Sequence, residues 1–122
     1  MQIINIATTR TRTLTTQLIG ADPDWSPDGR KIVFVGKTSQ DAEASVYVVA
    51  SSGNGLKRLT RAWLSVSSPH WSRDGHEIAF QAAKAGCTLV CMDIFTMRSD
   101  GTQLRDVSGG INLNASSFAW QP

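Results

Sequence analysis

The side chains that could take part in catalysis are few and scattered along the sequence. His70 and His76 are the two histidines, and the pair His76-Glu77 follows a predicted turn, where we expect both side chains to be solvated. No Gly-x-Ser-x-Gly element provides the usual setting of a hydrolase serine. The segment 53–55 (Gly-Asn-Gly) lacks the third glycine and the following helix of a nucleotide-binding fingerprint, so it indicates a hairpin loop. The sequence therefore predicts no catalytic group and no cofactor.

Acidic residues are more frequent, but their spacing does not favour a metal site. Asp22, Asp24 and Asp28 lie close together in sequence, yet they lack the spacing and the distal glutamate of a calcium-binding loop. Asp28 and its counterpart Asp74 each precede a glycine, which is typical of a tight turn. We expect these two carboxylates to accept hydrogen bonds from turn backbone, and the sequence predicts no metal.

Cys87 and Cys91 are the two cysteines, and no second pair is present to complete a tetrahedral metal site. Three interpretations remain open: two free thiols, a small loop disulfide, or a metal or redox role. Titration of thiols in the native protein without reductant would separate the first two.

Composition excludes several classes of protein. Lys and Arg number 12 against 10 Asp and Glu, without a basic stripe, so no nucleic-acid partner is predicted. The longest apolar stretches, 32–35 and 46–50, are far shorter than the roughly 20 residues of a membrane-spanning helix. The first residues lack the pattern of a secretory signal. A length of 122 residues gives room for one domain.

The sequence contains an internal repeat. The segment 23–34 recurs 46 residues later as 69–80, and the segment 46–53 recurs 48 residues later as 94–101. A third, partial copy at 116–120 matches 67–71. The residues that mark the repeat are a tryptophan in each copy and an Asp-Gly pair in the first two, namely Trp25, Asp28, Gly29, Trp71, Asp74, Gly75 and Trp120. We expect the tryptophans to pack between neighbouring units.

Each unit is predicted to form four short strands, because β-branched and aromatic residues alternate between turn signals. A period of 46–49 residues with four strands is typical of a β-propeller blade. We therefore predict an all-β fold, a partial β-propeller with two complete four-stranded antiparallel blades, two N-terminal strands and one C-terminal strand. The predicted bounds are 1–20 for a half blade, 21–64 and 65–110 for the blades, and 111–122 for the first strand of a further blade.

The motif Pro-Asp-Trp-Ser-Pro-Asp-Gly at 23–29, followed by 32–34, 46–48 and 58–60, resembles the repeat of TolB-type β-propellers. That repeat is also found in propeller domains of prolyl-oligopeptidase-like peptidases and in some lyases. The second unit departs from the pattern at Arg73, where proline is usual, and in its longer segment 82–93.

The resemblance implies a non-enzymatic module that binds a protein partner, in the periplasm or secreted and related to envelope transport. The alternative that it implies is part of the propeller domain of a peptidase or a lyase. A third hypothesis is self-assembly: closed propellers have about 4–8 blades, so a second copy of the chain would supply the missing ones and the protein would be a homo-oligomer.

The loops that join successive units are the predicted contact surface. We expect the segments 21–24, 36–45, 65–70 and 82–93 to share one end of the blades, opposite the turn at 26–29. Their polar side chains are the candidate partner-binding residues, namely Asp22, Asp24, Asp41, Glu43 and His70.

Overall fold

The computed structural model describes residues 2–5, 10–13, 18–41, 43–61, 65–83 and 92–108. These ranges contain ten strands: β1 (Gln2–Asn5), β2 (Arg10–Thr13), β3 (Ile19–Trp25), β4 (Lys31–Lys37), β5 (Ser45–Ala50), β6 (Lys57–Arg58), β7 (Val66–Trp71), β8 (Glu77–Ala83), β9 (Met92–Arg98) and β10 (Arg105–Asp106). Within the same ranges there is no helix with the length and apolar character needed to cross a membrane.

Antiparallel pairing joins the strands into two sheets of four and one pair. The order is β3-β4-β5-β6 in the first blade, β7-β8-β9-β10 in the second, and β1-β2 in the N-terminal pair. The predicted all-β partial propeller is confirmed. The predicted C-terminal strand with Trp120, as well as Cys87 and Cys91, lies outside the described residues.

The turn between the first two strands of each blade follows from its sequence. Gly29 adopts a φ of 71°, a conformation that costs glycine little, and its N–H donates to the Ser26 carbonyl over 2.8 Å. The Ser26 hydroxyl donates to Asp28 over 2.6 Å and accepts from the Lys31 N–H over 2.9 Å. The second blade repeats this network with Ser72, Asp74 and Gly75 in the same roles.

The main core lies between the two blades. Every second residue of each middle strand points into this core, because successive side chains of a strand point to opposite faces of its sheet. One face of the first blade thereby packs against the facing side of the second. The first blade contributes four valines, and the second contributes side chains of mixed size with three aromatic rings among them; the cluster comprises Val33, Val35, Val46, Val48, Val66, Trp71, Ile78, Phe80, Ala82, Phe95 and Met97. A second cluster, with Leu18, Ile32, Phe34, Tyr47 and Val49, occupies the other face of the first blade.

The prediction of a loop at the start of each blade, at 21–24 and at 65–70, was wrong for most of those residues. The segments 21–24 and 66–70 are not loops, because they belong to β3 and β7. Both strands carry a bulge, at which the register shifts between Ala21 and Asp24 and between Ser67 and His70. Asp22 and Ser68, each with a φ of 51°, occupy the bulges. The extra residue in each bulge lets the chain continue as a strand where a loop was predicted.

The first two tryptophans of the repeat differ in their surroundings. Trp71 is 7% exposed and packs in the core between the blades, whereas Trp25 is 45% exposed. Trp25 therefore departs from the expectation that every repeat tryptophan is packed between units. The physical reason is that Trp71 lies against the face of the preceding blade, and no described strand covers Trp25 in the same way.

Candidate functional site

The first strands of the two blades, β3 and β7, which we call the inner strands, carry three of the five predicted contact residues, and two of these three join the blades. Asp24 accepts a hydrogen bond from the Trp71 N–H over 2.8 Å, and Asp22 accepts one from the Ser68 N–H over 3.2 Å. Both donors are main-chain groups of β7, at and beside its bulge. A carboxylate acceptor makes such bonds stronger than neutral ones. We call this pair of hydrogen bonds, from main-chain N–H groups of β7 to Asp22 and Asp24 of β3, the carboxylate clasp.

The other two predicted acids lie in the loop after β4. Glu43 accepts from the Ser65 N–H over 3.4 Å, and it thereby reaches the residue before β7. Asp41 accepts from the Thr38 N–H over 2.9 Å within its own loop. The hydrogen bonds from the Thr38 backbone and side chain hold the pKa of Asp41 below its ordinary value. The structure thus brings Asp22, Asp24 and Glu43 to the joint between blades, while Asp41 stabilises its loop.

His70 is the one predicted contact residue that lies on the second blade. Its Nδ1 is 3.7 Å from the Asp24 carboxylate, and the two side chains are 47% and 34% exposed. An ion pair forms there only when the imidazole is protonated, and an exposed pair of this kind contributes about 0–1 kcal/mol. His70 therefore presents a polar group to solvent beside the clasp.

The Asp-Gly turns carry the second set of repeat residues, and their carboxylates bind backbone. Asp28 accepts from the Arg30 N–H and Asp74 from the His76 N–H, each over 3.0 Å. Two hydrogen bonds hold the pKa of each carboxyl below 3.8. The larger effect comes from the serine hydroxyl two residues earlier, and the smaller one comes from that backbone N–H.

A cleft of about 500 Å³ lies at the turn end of the second blade, and the sequence analysis missed it. It is lined by charged and polar groups of both signs, namely Asp74, His76, Glu77, Arg98, Ser99 and Asp100. The signal that could have located it is the repeat itself, because the turns at 72–75 and 98–101 close the same end of one blade. In the ranges that the structure describes, no three His, Cys, Asp or Glu side chains are grouped as metal ligands.

Successive blades of four antiparallel strands define the β-propeller class. The chain belongs to the TolB beta propeller domain family, which it matches over residues 1–121.

The sequence relatives include two peptidases, and the fold is shared with a solved TolB structure. The chain is 42% identical over 57 residues to the peptidase YuxL of Bacillus subtilis, which covers 47% of this chain and 8% of YuxL. It is 36% identical over 93 residues to dipeptidyl-peptidase 5 of Porphyromonas endodontalis, which covers 70% of this chain and 13% of that enzyme. A structure described as TolB from Agrobacterium tumefaciens superimposes with a TM-score of 0.72 at 24% identity, over 84% of this chain and 38% of that one. The chain thus spans only a small part of the peptidases that it matches.

Proposed function

We propose that the chain is a non-catalytic propeller segment that binds a protein or peptide partner at the inner-strand surface formed by Asp22, Asp24 and His70. The observation that carries this proposal is the carboxylate clasp, because its hydrogen bonds hold Asp22 and Asp24 against β7, the strand that carries His70. Each clasp carboxylate has several acceptor sites, and the side chains of Asp24 and His70 remain 34% and 47% exposed. A surface that is held in place before binding loses less conformational entropy when a partner arrives.

The sequence relatives support a peptidase-type protein as the setting of this segment. The identities to the two peptidases are 42% and 36%, against 24% to the Agrobacterium protein. In this proposal the reacting groups lie in another part of a longer chain, and the propeller segment contacts the peptide. The second candidate is a periplasmic binding protein of the TolB type, which the family match and the fold similarity support.

Two measurements test the non-catalytic part. The purified chain should not react with a fluorophosphonate probe for activated serines, and it should release no product from dipeptidyl substrates. Covalent labelling of any serine would falsify this part of the proposal. The gene neighbourhood separates the two settings, since a hydrolase domain in the same reading frame supports a peptidase and adjacent envelope-transport genes support a binding protein.

Binding is tested with a library of fluorescent peptides measured by anisotropy. His70→Ala should weaken the best peptide by about tenfold, which corresponds to roughly 1.4 kcal/mol. Lys37→Ala is the matched control, because Lys37 is an exposed charged residue that pairs with Ile19 at the other end of β3. If both variants bind with unchanged affinity, or if both lose affinity equally, the inner-strand surface is not the contact site.

A further inference from the structure

The loop between β5 and β6 contains the only asparagine in the sequence that is followed by a glycine. The pair is Asn54-Gly55, and both residues are exposed. The carbonyl carbon of an asparagine side chain is an electrophile, and the main-chain nitrogen of the next residue is the nucleophile nearest to it in the chain. Glycine leaves the approach between the two groups open because it has no Cβ. Asn54-Gly55 therefore carries both reacting groups of an intramolecular reaction.

Hydrogen bonds fix the main chain of Asn54 but leave the two reacting groups free. The Asn54 carbonyl accepts from the Ala50 N–H over 2.9 Å, and the Asn54 N–H donates to the Ser52 hydroxyl over 3.4 Å. Within the described ranges, neither the Asn54 carboxamide nor the Gly55 N–H has a hydrogen-bond partner. A Cβ placed on Gly55 would meet nothing within 4 Å, so the space beside this residue is open.

Three Asp-Gly pairs have related reacting groups, but their glycine nitrogens are held. These pairs are 28–29, 74–75 and 100–101. In each pair the glycine N–H donates to a main-chain carbonyl of its own turn, over 2.8 Å to Ser26, 3.0 Å to Ser72 and 2.8 Å to Arg98. The nitrogen cannot turn toward the preceding side chain without breaking that bond.

The carboxylates of the Asp-Gly pairs are held as well. Each accepts from a hydroxyl two residues away and from the main-chain N–H two residues later. These bonds hold the pKa of Asp28, Asp74 and Asp100 below its ordinary value, so all three are ionised at neutral pH. An ionised carboxylate is a poor electrophile because its charge repels a nucleophile. The structure thus protects three Asp-Gly pairs and leaves Asn54-Gly55 reactive.

We propose that Asn54 is a site of spontaneous deamidation in the folded protein, with aspartate and isoaspartate as its products. The Gly55 nitrogen attacks Cγ of Asn54, the new C–N bond closes a succinimide ring, and the Cγ–Nδ2 bond breaks. The leaving nitrogen departs as ammonia and takes the proton that the Gly55 nitrogen has lost. Water then opens the ring at either carbonyl. The reaction consumes one water, releases one ammonia and requires no oxidant or cofactor.

Both products add a negative charge to the loop, and isoaspartate also changes its main chain. In isoaspartate the chain runs through Cβ and Cγ, so the carbonyl that accepts from the Ala50 N–H leaves the main chain. We expect ion exchange to resolve an acidic form of the protein that accumulates on storage. Asn54→Asp supplies the aspartate product alone, and it should melt at a higher temperature than the isoaspartate form.

The decisive test compares two Asn-Gly pairs of identical chemistry in one molecule. Asp28→Asn places an asparagine before Gly29, whose N–H donates to the Ser26 carbonyl. The folded variant is incubated at mildly alkaline pH, and mass spectrometry of tryptic peptides follows positions 28 and 54 separately. We expect position 54 to deamidate severalfold faster than position 28 in the folded protein, and both to react at similar rates in urea. Asp74→Asn makes the same comparison in the second blade.

Three results would overturn the proposal. One is equal rates at positions 28 and 54 in a variant that circular dichroism shows to be folded. Another is an unchanged Asn54 in the folded, unaltered chain under conditions of pH and temperature at which it reacts in urea. The third is an acidic form that still accumulates in Asn54→Gln at the original rate, which would assign the new charge to another residue.

Discussion

Asp24 and His70 occupy equivalent positions in consecutive blades, and their different chemistry gives each inner strand a different surface. Asp24 accepts the Trp71 N–H, and the imidazole of His70 lies beside that carboxylate. A carboxylate is an acceptor at neutral pH, whereas a protonated imidazole is only a donor. At the scale of the residue, the structural role therefore rests on Asp24 rather than on the ion pair.

Asp24→Ala should destabilise the fold by about 1–3 kcal/mol, because it leaves the part-buried Trp71 N–H without its acceptor. His70→Ala should cost less than Asp24→Ala, because it removes an exposed pair at 3.7 Å and leaves the Trp71 N–H with its acceptor. Urea denaturation followed by circular dichroism measures both variants. A larger loss for His70→Ala than for Asp24→Ala would show that the ion pair holds the joint.

The turn carboxylates predict how stability depends on pH. Hydrogen bonds hold the pKa of Asp28 and Asp74 below 3.8 in the folded state. A lowered folded pKa means that the stabilisation is fully present above the unfolded value and is lost as the pH falls through the folded one. The melting temperature should therefore decline below about pH 4.

Ser26→Ala supplies the check on that mechanism. Because the Ser26 hydroxyl is the largest cause of the lowered pKa, its removal should raise the pKa of Asp28 and leave that of Asp74 in place. Carboxyl titration by NMR measures both groups in one sample. Equal shifts of the two aspartates would contradict a local origin.

At the scale of the element, the hairpin turns differ in how closely their neighbours approach. Gly29 and Gly101 have φ values of 71° and 88°. A Cβ at Gly29 would have nothing within 4 Å, whereas a Cβ at Gly101 would lie 3.2 Å from the Leu59 carbonyl oxygen of the first blade. Glycine is therefore needed at Gly101 for two reasons, backbone conformation and close approach.

Gly29→Ala should cost about 1–2 kcal/mol, which is the penalty for a left-handed residue with a Cβ. Gly101→Ala should cost more, because backbone of the first blade must also move. Thermal unfolding of the two variants, compared under one set of conditions, tests the order. An equal loss would show that the contact with Leu59 relaxes freely.

The repeat was sufficient to predict the number of strands in each blade, the Asp-Gly turns and the blade class, because local patterns determine them, but it placed loops where β3 and β7 begin. It was not sufficient to predict the role of Asp22. Its φ of 51° and its bond to Ser68 depend on a bulge and on a strand 46 positions away. Trp25 and Trp71 lie in nearly the same local sequence, so only the neighbouring blade distinguishes an exposed indole from a buried one.

At the scale of the whole molecule, stability is concentrated in the layer between the blades. Trp71→Ala should cost about 3–5 kcal/mol, as for other buried aromatic residues. Trp25→Ala is the matched control and should cost much less, because 45% of that residue is already exposed. Chemical denaturation compares them; similar losses would mean that both tryptophans belong to the core.

The clasp has a consequence for the evolution of the repeat. Its acceptors are side chains of one blade, but its donors are main-chain N–H groups of the next. Because almost any residue supplies a main-chain N–H, this contact restricts sequence on one side of the joint only. The strand that donates the N–H groups can then change its side chains without a matching mutation in the neighbouring blade. For the same reason, a blade can be copied into a new position.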